Sequence, residues 1–220
     1  MLALVDSGGA NLASVRFALE RLGVRGELTA DPAVIRAAER VILPGVGSAG
    51  EGMRRLRERG LIDCVRGLTQ PVLGICLGLQ LLFESSAEGP VETLGLLPGR
   101  VALLPAAPGV TVPHIGWNTV TRHRDTPLLH GLAADARFYF VHSYAAPVNE
   151  FTLASCAHGA PFAAIVQRGN FTGVQFHPER SGPAGAQLLK NFLQLPPARP
   201  RDRVLSSVPF PSARPPGGPL

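Results

Sequence analysis

Cys76 lies in the run Gly74-Ile75-Cys76-Leu77-Gly78, between a buried apolar segment and a helical pattern. That is the form of a nucleophile elbow, with cysteine where serine hydrolases carry serine. So tight a turn demands small residues two places before and after the nucleophile, and Gly74 and Gly78 meet the demand. An elbow also sets its nucleophile at a helix N-terminus, where partial positive charge favours a thiolate. The plain alternative is a buried structural cysteine, the usual state of a free thiol.

A thiol nucleophile needs a base, and the base needs an orienting group. Among six histidines, His177 is the best placed, at the end of Gly173-Val174-Gln175-Phe176 and the start of His177-Pro178-Glu179. Pro178 keeps His177 extended and stops the strand from continuing. Glu179, two residues on, can bend back to the imidazole once the ladder ends. Cys76, His177 and Glu179 thus form a candidate triad in chain order. For the oxyanion of an acyl-transfer intermediate, the amide of Leu77 is one donor. A second is expected from Val46 or Gly47 in Pro44-Gly45-Val46-Gly47, whose glycines let amides turn inward.

The elements that must hold these residues read as α/β. Leu2–Val5 is a strand, followed by a turn over residues 6–11 and a helix carrying Leu12, Val15, Ala18, Leu19 and Leu22. Val41–Leu43 is a second strand, closed by the glycine loop at 44–47, and Met53–Leu61 follows as a charged amphipathic helix. Val72–Ile75 is a third strand, running into a helix over Leu77–Glu84. Buried strands alternating with helices imply a parallel sheet covered on both faces.

Beyond Gly99 the runs shorten. Candidate strands are Val101–Leu104, Thr119–Thr121, Phe138–His142, Leu153–Ala157, Ala163–Gln167 and Gly173–Phe176, an antiparallel or mixed extension of the sheet. A last helix covers Ala184–Leu193. His114, His123 and His130 are expected in loops, and Cys64 and Cys156 in the core.

Composition bounds the rest. The chain has 220 residues, 45% of them apolar, a net charge of +5 and three cysteines. One α/β domain over residues 1–195 is the expected organisation. Residues 196–220 hold eight prolines and four arginines and are expected to be a disordered tail. That tail accounts for most of the net charge, and no basic run interleaves with aromatics, so nucleic acid is not the expected partner. No apolar run reaches the ~20 residues of a membrane span, and the N-terminus lacks the pattern of a signal peptide. Three cysteines without a Cys-x-x-Cys pair point to a reducing cytoplasm and away from a disulfide scaffold or a Cys-only zinc site. Cys156 and His158 at strand spacing are too few for a metal, and the Gly8-Gly9 turn lacks both phosphate-binding signatures.

The elbow Gly74–Phe83 together with His177-Pro178-Glu179 resembles the class I (triad) glutamine amidotransferases. Leu43–Gly47, His114-Ile115-Gly116-Trp117-Asn118, Phe140-Val141-His142-Ser143-Tyr144 and Gly173–Glu179 further resemble the glutaminase subunits of imidazole glycerol phosphate synthase, as does Asp6–Leu12. The likeness spans residues 2–195. It implies a flavodoxin-like open, mostly parallel or mixed sheet in a single domain. It also implies Cys76 as nucleophile, His177 as general base and acid, and Glu179 as its orienter.

By the same resemblance, Gln80 helps to hold substrate glutamine, and the backbone at Gly45, Ser143 and Tyr144 holds its α-amino and α-carboxylate groups. Trp117, Asn118 and Arg180 would face a (β/α)8-barrel cyclase that takes the ammonia in histidine biosynthesis. No metal or organic cofactor is implied. Two positions depart from the pattern: Leu79 stands where Met is usual, and Arg180 where Lys is usual. Short of the resemblance, a glutaminase serving chorismate or a purine precursor, another Cys-elbow hydrolase or redox protein, and a non-catalytic binding module remain the alternatives.

Overall fold

The computed structural model describes residues 1–6 and 12–196. The turn expected at 7–11 and all but the first residue of the tail lie outside them. The first half of the chain runs β1 (Leu2–Val5), α1 (Leu12–Arg21), β2 (Gly26–Thr29), α2 (Pro32–Ala37), β3 (Arg40–Gly45), α3 (Ala49–Glu58), α4 (Ile62–Arg66), β4 (Val72–Cys76) and α5 (Leu77–Leu81). Short strands follow: β5 (Ser85–Ser86), β6 (Val91–Glu92), β7 (Arg100–Leu103), β8 (His114–Thr119) and β9 (Thr121–Arg122). The chain closes through β10 (Arg137–His142), β11 (Tyr144–Ala145), β12 (Thr152–His158), β13 (Ala160–Arg168), β14 (Phe171–Val174) and α6 (Gly182–Gln194).

Eight strands form the main sheet in the order β2-β1-β3-β4-β14-β13-β12-β9. The five from β2 to β14 are parallel, and β13, β12 and β9 extend them antiparallel. This is the mixed α/β sheet that the sequence implies. Alternation along β1 explains how both faces are covered. Leu2 and Leu4 join one core cluster with Val15 and Leu19 of α1 and Leu188 and Phe192 of α6. Ala3 and Val5 join a second with Met53 and Leu56 of α3 and Leu77 and Leu81 of α5. A two-stranded ribbon, β8 with β10, and a four-stranded sheet, β11-β7-β5-β6, stand at the side.

Several elements differ from the sequence reading. β2 is an edge strand without buried residues, and so carries no apolar signal. The six residues of α2 are too few for periodicity, although Asp31 caps it by accepting from Ala33 N, with Pro32 in the first turn. The loop expected at 44–47 begins later, because Pro44 and Gly45 still pair with Ile75 and Cys76. α5 stops at Leu81, where the Leu82 carbonyl turns to accept from Leu96 and Leu97 and the chain enters β5. The strand expected at Thr119–Thr121 is the junction of β8 and β9. His114 is a correction: it opens β8 and is buried, packed on Phe140 and His158. His123 and His130 are outside strands and helices.

Candidate active site

Three adjacent parallel strands end at the same edge of the sheet. Gly45 on β3 is in register with Cys76 on β4, and Val174 on β14 with Ile75. The residues just past those ends therefore converge: Val46 and Gly47, Cys76 and Leu77, Gln175 and His177. Open α/β sheets place their sites at this edge.

Cys76 sits on the turn into α5 with φ 54° and ψ −109°, among the described residues the one non-glycine with positive φ. Such a conformation stores about 1–3 kcal/mol and persists only where the surroundings enforce it. They do so through the flanking glycines. A Cβ on Gly78 would lie 1.9 Å from the Leu43 carbonyl oxygen, and one on Gly74 2.6 Å from the Gly78 oxygen. The elbow thus packs backbone on backbone and turns the thiol outward.

His177 interacts with both Cys76 and Glu179. Its Nδ1 is 2.7 Å from Glu179 Oε1, and the Cys76 thiol acts on the same imidazole. Burial works against charge on this imidazole, but the bonds to Cys76 and Glu179 and their charges outweigh it and raise its pKa to about 10. The other thiols are stranded in the core. Burial raises that of Cys64, and pushes that of Cys156 up to about 12.

Cys76 and His177 border a cavity of about 420 Å³ lined also by Val46, Gly47, Leu77, Gln80, Glu88, Val141, His142, Ser143, Tyr144 and Arg180. The structure therefore brings together most of the residues singled out from sequence. Gly45 is not on this wall. It lies behind, where a Cβ would meet Leu77 Cβ at 2.9 Å. Gln80 donates from Nε2 to the Tyr144 carbonyl at 2.8 Å and to Gln175 Oε1 at 3.1 Å, which leaves its own oxygen for a ligand. Gly47 has φ +93°.

Of the three residues expected to face a partner, Trp117 and Arg180 both pack on Tyr139. Trp117 is 51% exposed on the outer face of β8, beside Ile115 at 61%. Its ring meets Tyr139 edge-on at 5.9 Å, and the Arg180 guanidinium lies 4.7 Å over the other ring of that pair, Tyr139. Asn118 is one residue on and so points to the opposite face, where its Nδ2 donates to the Ala157 carbonyl at 3.1 Å.

Five residues of the site escaped the sequence reading. Gln175 is fully buried and directs Nε2 at the Cys76 sulfur from 3.7 Å. The Ser181 hydroxyl donates to the His177 carbonyl at 2.7 Å and accepts from Tyr139 N at 2.9 Å, fixing the His177 backbone. Glu88 brings a carboxylate to the cavity wall and accepts from Ala49 N at 3.0 Å. His142, on the cavity wall, pairs with His114, and both are buried. Gln175 and Ser181 flank the His-Pro-Glu run, and that adjacency was the signal available for them. Glu88 and the histidine pair come together only in three dimensions.

A family model described as glutamine amidotransferase class-I matches residues 3–195. The imidazole glycerol phosphate synthase subunit HisH of Xanthomonas axonopodis pv. citri is 57% identical over 194 residues, 88% of this chain and 97% of that protein. The subunit of the same name from Xylella fastidiosa strain Temecula1 is 55% identical over the same shares. A crystal structure of a glutamine amidotransferase aligns with a TM-score of 0.65 over 87% of this chain and 96% of its own, at 22% identity, which speaks to the fold. The chain belongs to the class-I glutamine amidotransferases and, within them, to the HisH subunits of imidazole glycerol phosphate synthase.

Proposed function

We propose that Cys76 attacks the side-chain carboxamide carbon of glutamine and that the ammonia released passes to a cyclase subunit. The observation carrying this reading is that Cys76 and His177 share the wall of a cavity of amino-acid size, with Glu179 hydrogen bonded to His177 Nδ1. The Cys76 thiolate adds to the carboxamide, and the oxyanion is met by the amide of Leu77 and one from Val46 or Gly47. As the tetrahedral intermediate collapses, His177 gives its proton to the departing nitrogen, leaving a glutamyl thioester and ammonia. His177 then takes a proton from water, which adds to the thioester and releases glutamate. Every step is nucleophilic or acid–base, and none calls for a metal or organic cofactor.

Glutamine brings an ammonium and a carboxylate of its own. Glu88 suits the first. The backbone of Ser143 and Tyr144 and the Gln80 side-chain oxygen supply the remaining polar contacts. The relatives are subunits of a synthase, so this chain acts with a second one, in our reading a (β/α)8-barrel cyclase. The exposed side chains of Ile115, Trp117 and Val141, with Arg180 at the cavity rim, suit the docking face. The cyclase would combine the ammonia with a phosphoribulosyl-formimino intermediate to give imidazole glycerol phosphate and aminoimidazole carboxamide ribotide. We place the chain in the cytoplasm; no described helix is long and apolar enough to cross a membrane.

Labelling tests this directly. The complex is treated with a diazoketone analogue of glutamine, digested and mapped by mass spectrometry. The expected adduct lies on Cys76 alone and is prevented by excess glutamine. Labelling of Cys64 or Cys156, or none that glutamine prevents, would overturn the reading.

A further inference from the structure

His142 and His114 lie outside the triad, and both are buried. Their four ring nitrogens are placed so that the proton positions follow from their neighbours. His142 Nδ1 is 2.9 Å from the Tyr144 carbonyl oxygen. A carbonyl only accepts, so Nδ1 carries a hydrogen. His142 Nε2 faces His114 Nδ1 at 3.2 Å, a pair in which one nitrogen must donate and the other accept.

Asn118 settles the direction. Its Oδ1 accepts from Thr119 N at 2.9 Å and its Nδ2 donates to the Ala157 carbonyl, which fixes the amide the right way round. Nδ2 also faces His114 Nε2 at 3.5 Å, the outer limit of a hydrogen bond, and a donor there requires Nε2 to be bare. His114 then carries its hydrogen on Nδ1 and donates to His142 Nε2. A directional chain results, from Asn118 to His114 to His142 to the Tyr144 carbonyl. Burial lowers both imidazoles, His114 to about 4 and His142 to about 3, which agrees with two neutral rings.

The Tyr144 carbonyl is where this chain meets the pocket. It also accepts from Gln80 Nε2, which donates in turn to Gln175, and Gln175 reaches the Cys76 sulfur. Ser143 and Tyr144 line the same cavity as Cys76 and Leu77. We infer that His142, as the Nδ1–H tautomer fixed by His114, is a positioning residue. By gripping the Tyr144 carbonyl it sets the Ser143–Tyr144 wall and Gln80 against Cys76 for glutamine binding. This rests on the glutaminase reading above. His142 acts through the Tyr144 carbonyl and not on the reacting atoms, so its effect falls on glutamine affinity.

Two measurements test it. Nitrogen-15 histidine NMR of the wild-type chain, assigned with H114N and H142N variants, reads the tautomers at pH 7.5. A protonated Nδ1 and bare Nε2 are expected for both rings, and a protonated Nε2 on His142 would overturn the inference whatever the chain's activity. Steady-state glutamine hydrolysis is then measured for the complex with its cyclase. His142→Phe keeps an aromatic ring and loses the donor; KM should rise about tenfold with kcat within about threefold, the scale of one buried hydrogen bond. His142→Asn can put an amide N–H where Nδ1 stood, and should recover KM to within about threefold of wild type. Equal impairment of both folded variants, or wild-type KM in His142→Phe, would overturn the inference. A wild-type complex without glutaminase activity would sink the proposed function instead, and the tautomers would still decide the hydrogen-bond chain.

Discussion

Replacing Cys76 by glycine should give a more stable protein than replacing it by alanine, the reverse of the ordinary order. Both changes remove the thiol. Alanine keeps a Cβ at φ 54°, ψ −109°, and so keeps the strain, about 1–3 kcal/mol at such a site. Glycine adopts positive φ freely and relieves it. Against this stands the greater freedom of glycine in the unfolded chain, about 0.4–1 kcal/mol. The balance favours Cys76→Gly over Cys76→Ala by up to about 2.6 kcal/mol. At about 2–4 °C per kcal/mol for a domain of this size, the melting temperatures should differ by a few degrees. Urea unfolding followed by circular dichroism reads the difference, provided the two slopes agree. Ala37→Gly on the exposed face of α2 is the control, expected to lose about 0.5–1 kcal/mol in the usual direction. If Cys76→Ala is the more stable by that ordinary margin, the elbow is not strained and the argument from its geometry fails.

Other expectations follow from the same contacts. Gly78→Ala must move backbone to relieve a 1.9 Å approach to the Leu43 oxygen, and should cost at least about 3 kcal/mol in urea unfolding; a loss under 1 kcal/mol would contradict the packing. Glu179→Gln removes one of the groups that hold the His177 proton. The alkaline limb of kcat/KM should fall from near pH 10 towards neutrality, with a loss of about 10²-fold or more at pH 7.5; an unmoved limb would count against the assignment.

His114 and His142 have folded pKa values below the unfolded one, so the unfolded chain binds more protons as pH falls below about 6.5. Stability is therefore full above that pH and is lost on acidification, by up to about 2 kcal/mol for each ring at pH 5. His142→Asn should lose less stability than wild type between pH 6.5 and 5; equal losses would mean that the ring is protonated in the fold.

How much of this was legible in the sequence varies with the range of the physics involved. The elbow was readable because its glycines, its thiol and its flanking elements are all local. Cys76, Leu77 and Gly78 carry their own geometry in the order of their side chains. His177 and Glu179 were readable for the same reason, since Pro178 fixes the turn between them. β2 was not, because an edge strand with no buried side chain has no periodic signal.

The misplacement of His114 has a similar cause. The flanking Pro113 and Gly116 suggest a loop, yet β10 pairs with the whole of His114–Thr119 and the ring finds partners from β10 and β12. Trp117 and Asn118 were adjacent in one motif, and a strand sends adjacent side chains to opposite faces. Gln175 sits two residues before His177, but its reach to the Cys76 sulfur depends on the parallel pairing of β4 with β14.

The account turns on whether Cys76 makes the ammonia. The complex of this chain with its cyclase, wild type and Cys76→Ala, should be assayed for imidazole glycerol phosphate formation with glutamine and, separately, with ammonium salts. The variant should form no product from glutamine and keep the wild-type rate from ammonia. Glutamine-dependent product from a Cys76→Ala complex free of contaminating glutaminase would contradict the central claim.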